Sequence, residues 1–318
     1  MGSVLVLRPN NLSMASRLAH EGSVVRVLGG PESNNGNNPK RINAAKFLDQ
    51  YDFALVGEHV TGAECEKVGR DCKVLGSGQF NHKLKEEQYF LAVAGLTDMV
   101  PAWDEVPGGI DLDMCLWFDG KEFVHIGYYI SHLRMFERDK GPVTDGVAFV
   151  LWKAHPSDTL VDKVTGLTKL LVDLEFAGPL TLKCVVTEDH VCLHEMSACF
   201  STRHVLWHEL VRDGMYQFLL TLDPQHDKVH VIGDYAVGVM AQRLDGPPQL
   251  VMNSGAEKHC FGDVVTARGY TLHEAKRRVY RTLREVTTGD PETFYRGDVT
   301  ASVEEKIVNL KMWGWLNA

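Results

Sequence analysis

The segment from Val264 to Val299, VVTARGYTLHEAKRRVYRTLREVTTGDPETFYRGDV, has the most definite local pattern in the chain. It opens with consecutive β-branched residues, which favour a strand. Gly269 permits a tight turn, and Thr271 can cap a helix whose third following residue is Glu274, the spacing of a capping box. The segment therefore predicts a strand, a turn, a capped helix and a short closing stretch.

Three apolar runs near the start of the chain alternate with turn and helix signals. They are SVLVLR at 3–8, SVVRVLGG at 23–30 and DFALVGEHV at 52–60. Alternation of this kind predicts a small parallel α/β unit with right-handed crossovers. Ligands of such sheets bind beyond the carboxyl ends of the strands, which here means near 8–11, 29–32 and 57–59.

The middle of the chain combines strand runs with helical periodicity. Asp119-Gly120 is a strong hairpin turn between two strand-like runs. The further elements predicted along this part are a helix at about 83–94, a strand at 146–152, a helix at 159–175, two strands joined by a hairpin at 188–189, and a helix at 203–221. We expect three units, with boundaries at 1–82, 83–232 and 233–318.

Bulk properties limit the class of protein. A chain of 318 residues is long enough for two or three compact units. Its 7 cysteines include no CxxC pair, and their odd number favours a reduced, cytoplasmic setting. No apolar run is long enough to span a bilayer, so no membrane partner is expected. The net charge of −9 argues against broad nonspecific nucleic-acid binding, and DNA stays open as a partner for a local basic face.

The C-terminal segment resembles the closing segment of glycinamide ribonucleotide synthetases, the phosphoribosylamine–glycine ligases, which are ATP-grasp proteins. The matching residues are Val265, Thr266, Ala267, Gly269, Thr271, Glu274, Ala275, Tyr280, Tyr295, Arg296, Asp298 and Val299. The resemblance implies an α/β, ATP-grasp-like fold. Its parts would be an N-terminal parallel α/β unit, a central mixed sheet and a small C-terminal α+β unit.

The segment RDKGPVTDGVAF resembles the substrate loop of that family, D-x-G-P-N-T-G-G-M-G. Asp139, Gly141, Pro142, Thr144 and Gly146 keep its spacing, and Val143 and Asp145 depart from it. The resemblance implies substrate contacts for Gly141, Thr144 and Gly146. Arg138 and Lys140 can hold phosphate, and Asp139 or Asp145 can take a proton from an attacking amine. A plain connecting loop would also contain Asp, Gly and Pro.

The stretch GPLTLKCVVTEDHVCLHEMSACF resembles the strand pair that ends in the family's metal-binding motif, E-F-N-x-R-F-G-D. Glu195 keeps the acidic ligand, while Ser197 replaces the Asn and Cys199 the Arg. We predict a catalytic role for Glu195 and a substrate contact for Ser197. Alternation places Glu195 on one face with Val191 and Leu193. A carboxylate on such an apolar face requires a cationic partner or a metal, because burying an unpaired charge is costly. Mg²⁺ or another divalent ion is the cofactor left open.

His204 and His208 have the i, i+4 spacing that puts two imidazoles on one helix face. They could bind a transition metal or act as acid and base, and a surface pair is the alternative. If a metal binds, Glu195 with His204 is the first ligand set. Arg203 stands near the position where the family's arginine meets the amino-acid carboxylate, so it is predicted to bind substrate; an ordinary surface arginine is the alternative.

Between Trp103 and Gly108 the family carries a long insertion that folds as a lid over ATP. Here only Asp104-Glu105-Val106-Pro107 stand at that place, and no GxxxxGK[ST] loop replaces the lid. A nucleotide triphosphate needs cationic and backbone N–H partners and usually Mg²⁺. The sequence therefore indicates a lidless relative that does not use ATP.

Three functions follow from this comparison. The favoured one joins an amino acid, most plausibly glycine, to a phosphorylated or pyrophosphorylated nucleotide-like substrate that arrives already activated. By analogy, some bacteriophage pathways that hypermodify thymine in DNA let an amino acid's amine attack a pyrophosphorylated base methyl. The alternatives are an ATP-dependent phosphoribosylamine–glycine-type ligase and a non-catalytic ligand-binding relative. A basic stripe, Arg277, Arg281 and Arg284, could track nucleic-acid phosphates but is also typical of a solvated helix face.

Overall fold

The computed structural model describes residues 3–7, 18–19, 23–28, 51–56, 73–76, 99–101, 106–212, 214–222, 230–244, 250, 259–261 and 263–317. Its strands are β1 Ser3–Leu7, β2 Val24–Leu28, β3 Phe53–Val56, β4 Lys73–Leu75, β5 Met99–Pro101, β6 Ile110–Phe118, β7 Phe123–Phe136, β8 Lys140–Lys153, β9 Gly178–Val186, β10 Val191–Ser197, β11 Tyr235–Met240, β12 Cys260–Phe261 and β13 Val264–Gly269. Its helices are α1 Thr159–Thr165, α2 Thr168–Asp173, α3 Thr202–Val205, α4 Trp207–Leu210, α5 Met215–Leu220, α6 Leu272–Val286 and α7 Ala301–Met312. None of the helices in these ranges is long and apolar enough to cross a membrane.

The first four strands form a parallel sheet in the order β2-β1-β3-β4. Consecutive residues of these strands, Val4 and Leu5 on β1 and Phe53 and Ala54 on β3, are buried, as expected for strands that are covered on both faces. The predicted N-terminal parallel sheet is therefore confirmed. The three strand-end segments predicted to bind ligands, and the predicted helix at 83–94, lie outside the described residues.

The other nine strands form one mixed sheet in the order β12-β13-β11-β8-β7-β6-β9-β10-β5. Neighbours run antiparallel except β10 and β5, which run parallel. Strands β11 to β13 belong to the predicted third unit, and they continue the central sheet. The domain boundaries stay a prediction, but hydrogen bonding crosses the one at 232–233.

Each face of this large sheet packs against a different set of elements. One face lies under α1, α2, α6 and α7, through side chains such as Leu160, Leu171, Val279 and Leu310. The opposite face packs on the parallel sheet and on the short helices α3 to α5. We call this second face the inner face.

Two hairpins shape the centre of the sheet. The β6–β7 hairpin turns at the predicted Asp119-Gly120, where the Asp119 carboxylate accepts the N–H groups of Lys121 and Glu122 at 2.7 and 2.8 Å. The β7–β8 hairpin is much longer. It turns at residues 137–139, where Arg138 (φ 57°) and Asp139 (φ 52°) are both left-handed.

Three predictions of local structure are wrong. Residues 140–146 are part of strand β8, so the predicted substrate loop is a turn followed by a strand. The helix predicted at 159–175 is interrupted after Thr165. The helix predicted at 203–221 is three short helices, because Val211 forms a β-bridge with Val231 and Gly214 has φ 89°.

The C-terminal segment has the predicted form. Strand β13 leads through a turn into α6, whose cap residue Thr271 accepts the N–H of Glu274 at 3.1 Å. Glu274 in turn accepts the N–H of Tyr270 at 2.9 Å. The last part of the resemblance segment, residues 295–299, lies against the β7–β8 hairpin, where the Val299 carbonyl is 2.8 Å from His132 Nε2.

Candidate functional site

A row of charged side chains crosses the inner face where β6, β9 and β10 run side by side. Asp113 on β6 is directly opposite Lys183 on β9, and Lys183 is directly opposite Glu195 on β10. Directly opposed residues of antiparallel strands project from the same face, with Cβ atoms about 4.5–5.5 Å apart. Arg203 from α3 completes the set by contacting Asp113. These four residues are called the charged row.

One end of the charged row is largely buried and consists of the Arg203–Asp113 ion pair. Arg203 Nε donates to Asp113 Oδ2, and the guanidinium carbon lies 5.6 Å from the centre of the Tyr129 ring. The two side chains are only 20% and 14% exposed. Burial raises the pKa of the Asp113 carboxyl, and the Arg203 charge opposes that rise. Burial also disfavours charged Arg203, but Asp113 outweighs it and raises the arginine's pKa.

The outer end is the Lys183–Glu195 ion pair, in which Lys183 Nζ donates to Glu195 Oε2. These side chains are 34% and 55% exposed, so this end of the row is open to water. The expectation that Glu195 shares a face with Val191 and Leu193 is wrong. A bulge at His194 shifts the register, so that Leu193 is opposite Cys184 but Glu195 is opposite Lys183. Glu195 is thereby turned to the inner face.

The residues beside Glu195 are a poor fit for a divalent metal. The Ser197 hydroxyl lies 2.9 Å from Cys199 Sγ, and Glu195 is already bonded to an ammonium. Within the described ranges, no three His, Cys, Asp or Glu side chains come together as a metal site would require. The expected Mg²⁺ or other divalent ion stays a prediction.

His204 lies in an aromatic environment, away from the open end of the charged row. It is fully buried against Trp117 and Phe200, with ring centroids 5.1 and 5.5 Å away. Its Nδ1 lies 3.1 Å from Ser201 Oγ, within the capping box of α3, and its buried Nε2 has no hydrogen-bond partner among the described residues. Burial, assisted by the Arg203 charge, lowers the pKa of His204 to about 3. Its described contacts do not include Glu195, and the predicted metal pair stays untested.

The surface alternative for His204 and His208 is wrong, because both are buried and they lie on two separate short helices. His208 belongs to a network around buried Glu209. Glu209 Oε1 lies 3.1 Å from His208 Nε2, 2.8 Å from His259 Nδ1 and 2.7 Å from the Thr266 hydroxyl. Burial alone would raise the pKa of Glu209, but its two histidine partners hold it well below the ordinary value. The network links α4 to β12 and β13, and sequence reasoning missed it.

A second polar cluster lies at the tip of the β7–β8 hairpin and joins two resemblance segments. Arg296 is almost completely buried; it donates to both Asp298 oxygens at 2.6 and 3.0 Å and to Asp139 at 2.9 Å. Asp298 Oδ2 also accepts the backbone N–H of Arg138 at 2.7 Å. We call Asp139, Arg296 and Asp298 the tip clasp. The predicted base Asp139 is therefore 63% exposed and paired with an arginine.

The remaining residues of the predicted substrate loop have structural contacts or face solvent. Lys140 is exposed. Gly141 has φ 83° under the Phe136 ring, and Gly146 has φ 115° beside Phe149, so both are glycines for backbone reasons. The Thr144 hydroxyl donates to the Leu133 carbonyl at 2.8 Å and accepts the Gly146 N–H at 3.1 Å. The side chain of the predicted base Asp145 lies outside the described part of the chain.

The structure divides the predicted site in two. The two parts lie at different positions along β7. Tyr129 on β7 is directly opposite Asp113 of the charged row, whereas the tip clasp begins after Phe136, the last residue of β7. At about 3.3 Å per residue, the seven residues between them span roughly 20 Å. Glu195 and Arg203 therefore belong to the charged row, with Ser197 two residues further along β10, and Arg138, Asp139 and Lys140 lie at the hairpin tip.

Sequence reasoning missed Asp113 and Lys183. A signal existed, since each interrupts an apolar alternation, in DLDMCLWF and LTLKCVV. Their pairing could not be read from the sequence, because it depends on β6 lying beside β9. The basic stripe on α6 is solvent-exposed, and Arg281 makes only a weak pair with Glu285 at 4.0 Å.

The sequence matches no protein-family model and no curated protein. Solved structures do match the fold. A phosphoribosylamine–glycine ligase from Thermotoga maritima is 15% identical with a TM-score of 0.63, over 93% of this chain and 99% of that one. A phosphoribosylglycinamide synthetase from Anaerococcus prevotii is 8% identical with a TM-score of 0.58, over 92% and 99%. A putative ATP-grasp superfamily protein from Archaeoglobus fulgidus is 15% identical with a TM-score of 0.52, over 84% and 98%.

Proposed function

Starting from an ATP-grasp fold with a mixed-charge row on its inner face, we propose that this chain is a C–N bond-forming enzyme. It joins an amino acid, glycine in the simplest case, to a phosphorylated or pyrophosphorylated nucleotide-like substrate. The observation that carries the proposal is the alternation of charge along the row: Glu195, Lys183, Asp113, Arg203. Two of the structural neighbours are named as ligases or synthetases that act with glycine, which supports an amino acid as one substrate.

The charged row offers a partner for each charge of the reactants. Its cations, Lys183 and Arg203, attract carboxylate or phosphate oxygens, and the Glu195 carboxylate accepts a hydrogen bond from the neutral amine. The amine nitrogen attacks the carbon that bears pyrophosphate. The C–N bond forms as the C–O bond breaks, the electron pair leaves with pyrophosphate, and the surplus proton of the amine goes to the Glu195 carboxylate. The chain's contribution is to position the two reactants and to stabilise the charge on the leaving group.

We further propose that the reaction does not use ATP. The support is the short stretch between Trp103 and Gly108, where the resemblance would place an ATP-binding lid. A substrate that arrives with its leaving group installed removes the need for a triphosphate. Thymine hypermodification in bacteriophage DNA is a setting that supplies such a substrate, and exposed Arg138 and Lys140 at the hairpin tip suit the phosphates of a polymer.

The test is transfer of radiolabelled glycine to a DNA oligonucleotide whose thymine methyl groups carry pyrophosphate. The purified full-length protein is assayed with and without ATP–Mg²⁺. We expect label in the DNA and an equal amount of released pyrophosphate without ATP. Glu195→Gln should reduce turnover about 100-fold or more, because the amine loses its proton acceptor. His194→Gln, which alters the exposed bulge residue next to it, is the matched control and should remain active.

Two other outcomes identify the alternatives. Glycine transfer that requires ATP–Mg²⁺ would refute the lidless reaction and indicate an ATP-dependent ligase. Binding of glycine with no transfer to any phosphorylated acceptor would refute catalysis and indicate a ligand-binding protein. A melting-temperature screen with glycine, serine, pyrophosphate and short DNA separates binding from turnover, because ligands that bind only the folded state raise the melting temperature.

A further inference from the structure

Lys183 is, with Asp113, one of the two members of the charged row for which neither the sequence motifs nor the resemblance predicts a role. It lies on β9, between Asp113 on β6 and Glu195 on β10. Asp113 is already neutralised by buried Arg203. The Lys183 ammonium is therefore balanced mainly by Glu195, at the end of the row that water and a ligand can reach.

We propose that Lys183 is the resident cation of this site, in place of a divalent metal, and that it binds the pyrophosphate or phosphate group of the substrate directly. The inference rests on the proposed function. An ammonium has three N–H donors and no acceptor. Among the described residues, only Glu195 Oε2 accepts a hydrogen bond from the Lys183 ammonium, so two donors are left for phosphate oxygens.

Charge balance favours a lysine over a metal ion here. The row contains two carboxylates and two cationic groups, so it is neutral without any added ion. A divalent ion on Glu195 would stand beside the Lys183 ammonium and be repelled by it. It would also need more oxygen ligands, and Ser197, the nearest candidate from the motif, has its hydroxyl against Cys199 Sγ.

The same geometry assigns each end of the pair a separate task in the transfer. Lys183 Nζ donates to the leaving phosphate oxygen as that oxygen takes the electron pair of the breaking C–O bond. Glu195 receives the proton that the attacking amine loses when the C–N bond forms. Both groups are partly exposed, so a substrate can reach them without opening the buried Arg203–Asp113 pair.

The experiment measures binding of inorganic pyrophosphate to the full-length protein by calorimetry, in EDTA and in Mg²⁺. The wild-type protein should bind equally well in both. Lys183→Met should weaken binding at least 10-fold, and Lys183→Arg should restore most of it, since guanidinium also donates to phosphate. Lys169→Met, at an exposed position on α2, is the matched control and should bind as the wild type does.

The possible failures separate this inference from the function it rests on. Pyrophosphate binding by the wild type that disappears in EDTA, or is unchanged in Lys183→Met, overturns the lysine assignment while the proposed function stands. If the wild type binds neither pyrophosphate nor glycine in either buffer, the proposed function fails and the assignment fails with it. The EDTA comparison needs no variant, so a folding defect in Lys183→Met cannot mask the result.

Discussion

Removing the arginine of the tip clasp should destabilise the protein by an amount that can be worked out from its contacts. Arg296 makes two hydrogen bonds to Asp298 and donates a third to the Arg134 carbonyl at 3.0 Å. Charge-assisted bonds of this kind contribute about 1.5–3 kcal/mol each. Its pair with exposed Asp139 adds at most about 0.5 kcal/mol. Water can reach Asp298, which is 26% exposed, and it recovers part of the loss. For Arg296→Met, which keeps much of the packing, we expect the free energy of unfolding to fall by about 3–5 kcal/mol.

Urea unfolding at pH 7, followed by the fluorescence of the 6 tryptophans, measures this change. A loss of that size lowers the midpoint by roughly 1 M urea for a chain this long. Trypsin should also cleave faster after Arg138, because the turn loses its anchor to Asp298. Arg281→Met, which removes an exposed side chain with only a 4.0 Å ion pair, should change stability by less than about 0.5 kcal/mol. Equal midpoints and equal cleavage rates for the two variants would refute the reasoning.

The effect of Arg296→Met should also depend on pH. Burial alone would raise the pKa of Asp298, but its bonds to Arg296 and to the Arg138 N–H lower it. A carboxyl whose pKa is lower in the folded state stabilises the protein above its unfolded pKa of about 3.9. That contribution is lost as the pH falls through the folded pKa. The difference in the free energy of unfolding between wild type and Arg296→Met should therefore be largest near pH 7 and become smaller in acid.

Three further predictions test the buried groups and the contact between the two sheets. Glu209→Gln should lower the free energy of unfolding at pH 7 by more than about 2 kcal/mol, as measured by urea titration. The pKa of Glu209 is lowered in the folded state, so its carboxylate stabilises the fold above the unfolded pKa of about 4.3, and the difference between wild type and variant should become smaller only in acid. Folded His204 has a pKa of about 3, whereas the same histidine in the unfolded chain is protonated below about pH 6.5. As the pH is lowered from about 6.5 to about 3, the free energy of unfolding of the wild type should therefore fall by up to about 1.4 kcal/mol per pH unit. A His204→Phe variant with the same pH dependence would contradict this. Gly178→Ala should lower the free energy of unfolding by more than about 2 kcal/mol, because the added Cβ would overlap the backbone of Gly76. Gly289→Ala is the control: its φ of 92° is also positive, but its Cβ meets no atom within 4 Å, and it should cost about 1 kcal/mol. Equal melting temperatures of the two variants would contradict the close approach.

Several local features of the fold were readable from the sequence because they depend on near neighbours. The Asp119-Gly120 hairpin and the Thr271 cap both involve residues within four positions of each other, and both formed as predicted. The resemblance segment at the end of the chain also predicted the fold, which the structural neighbours confirm. The predicted helix at 203–221 failed because apolar periodicity does not show where a bridge such as Val211–Val231 will interrupt it.

The candidate site depended on contacts that no local pattern contains. A single inserted residue, His194, turned Glu195 from the face of Leu193 to the inner face. The same pairing placed Lys183 beside it, and the position of α3 brought Arg203 to Asp113. The predicted loop residues Arg138 and Asp139 went instead to the hairpin tip, where Asp298 and Arg296 hold them.

The sequence by itself determined the classes of local structure, the ATP-grasp resemblance and the residue types available for chemistry. Tertiary structure alone decided which of those residues meet. The physical reason is that turns, caps and strand propensities arise from interactions over a few bonds, while the register between strands and the burial of a charge depend on segments far apart in the chain. Lys183 is an example: in the sequence it is one lysine within an apolar run, and only the pairing of β9 with β10 makes it the ion-pair partner of Glu195.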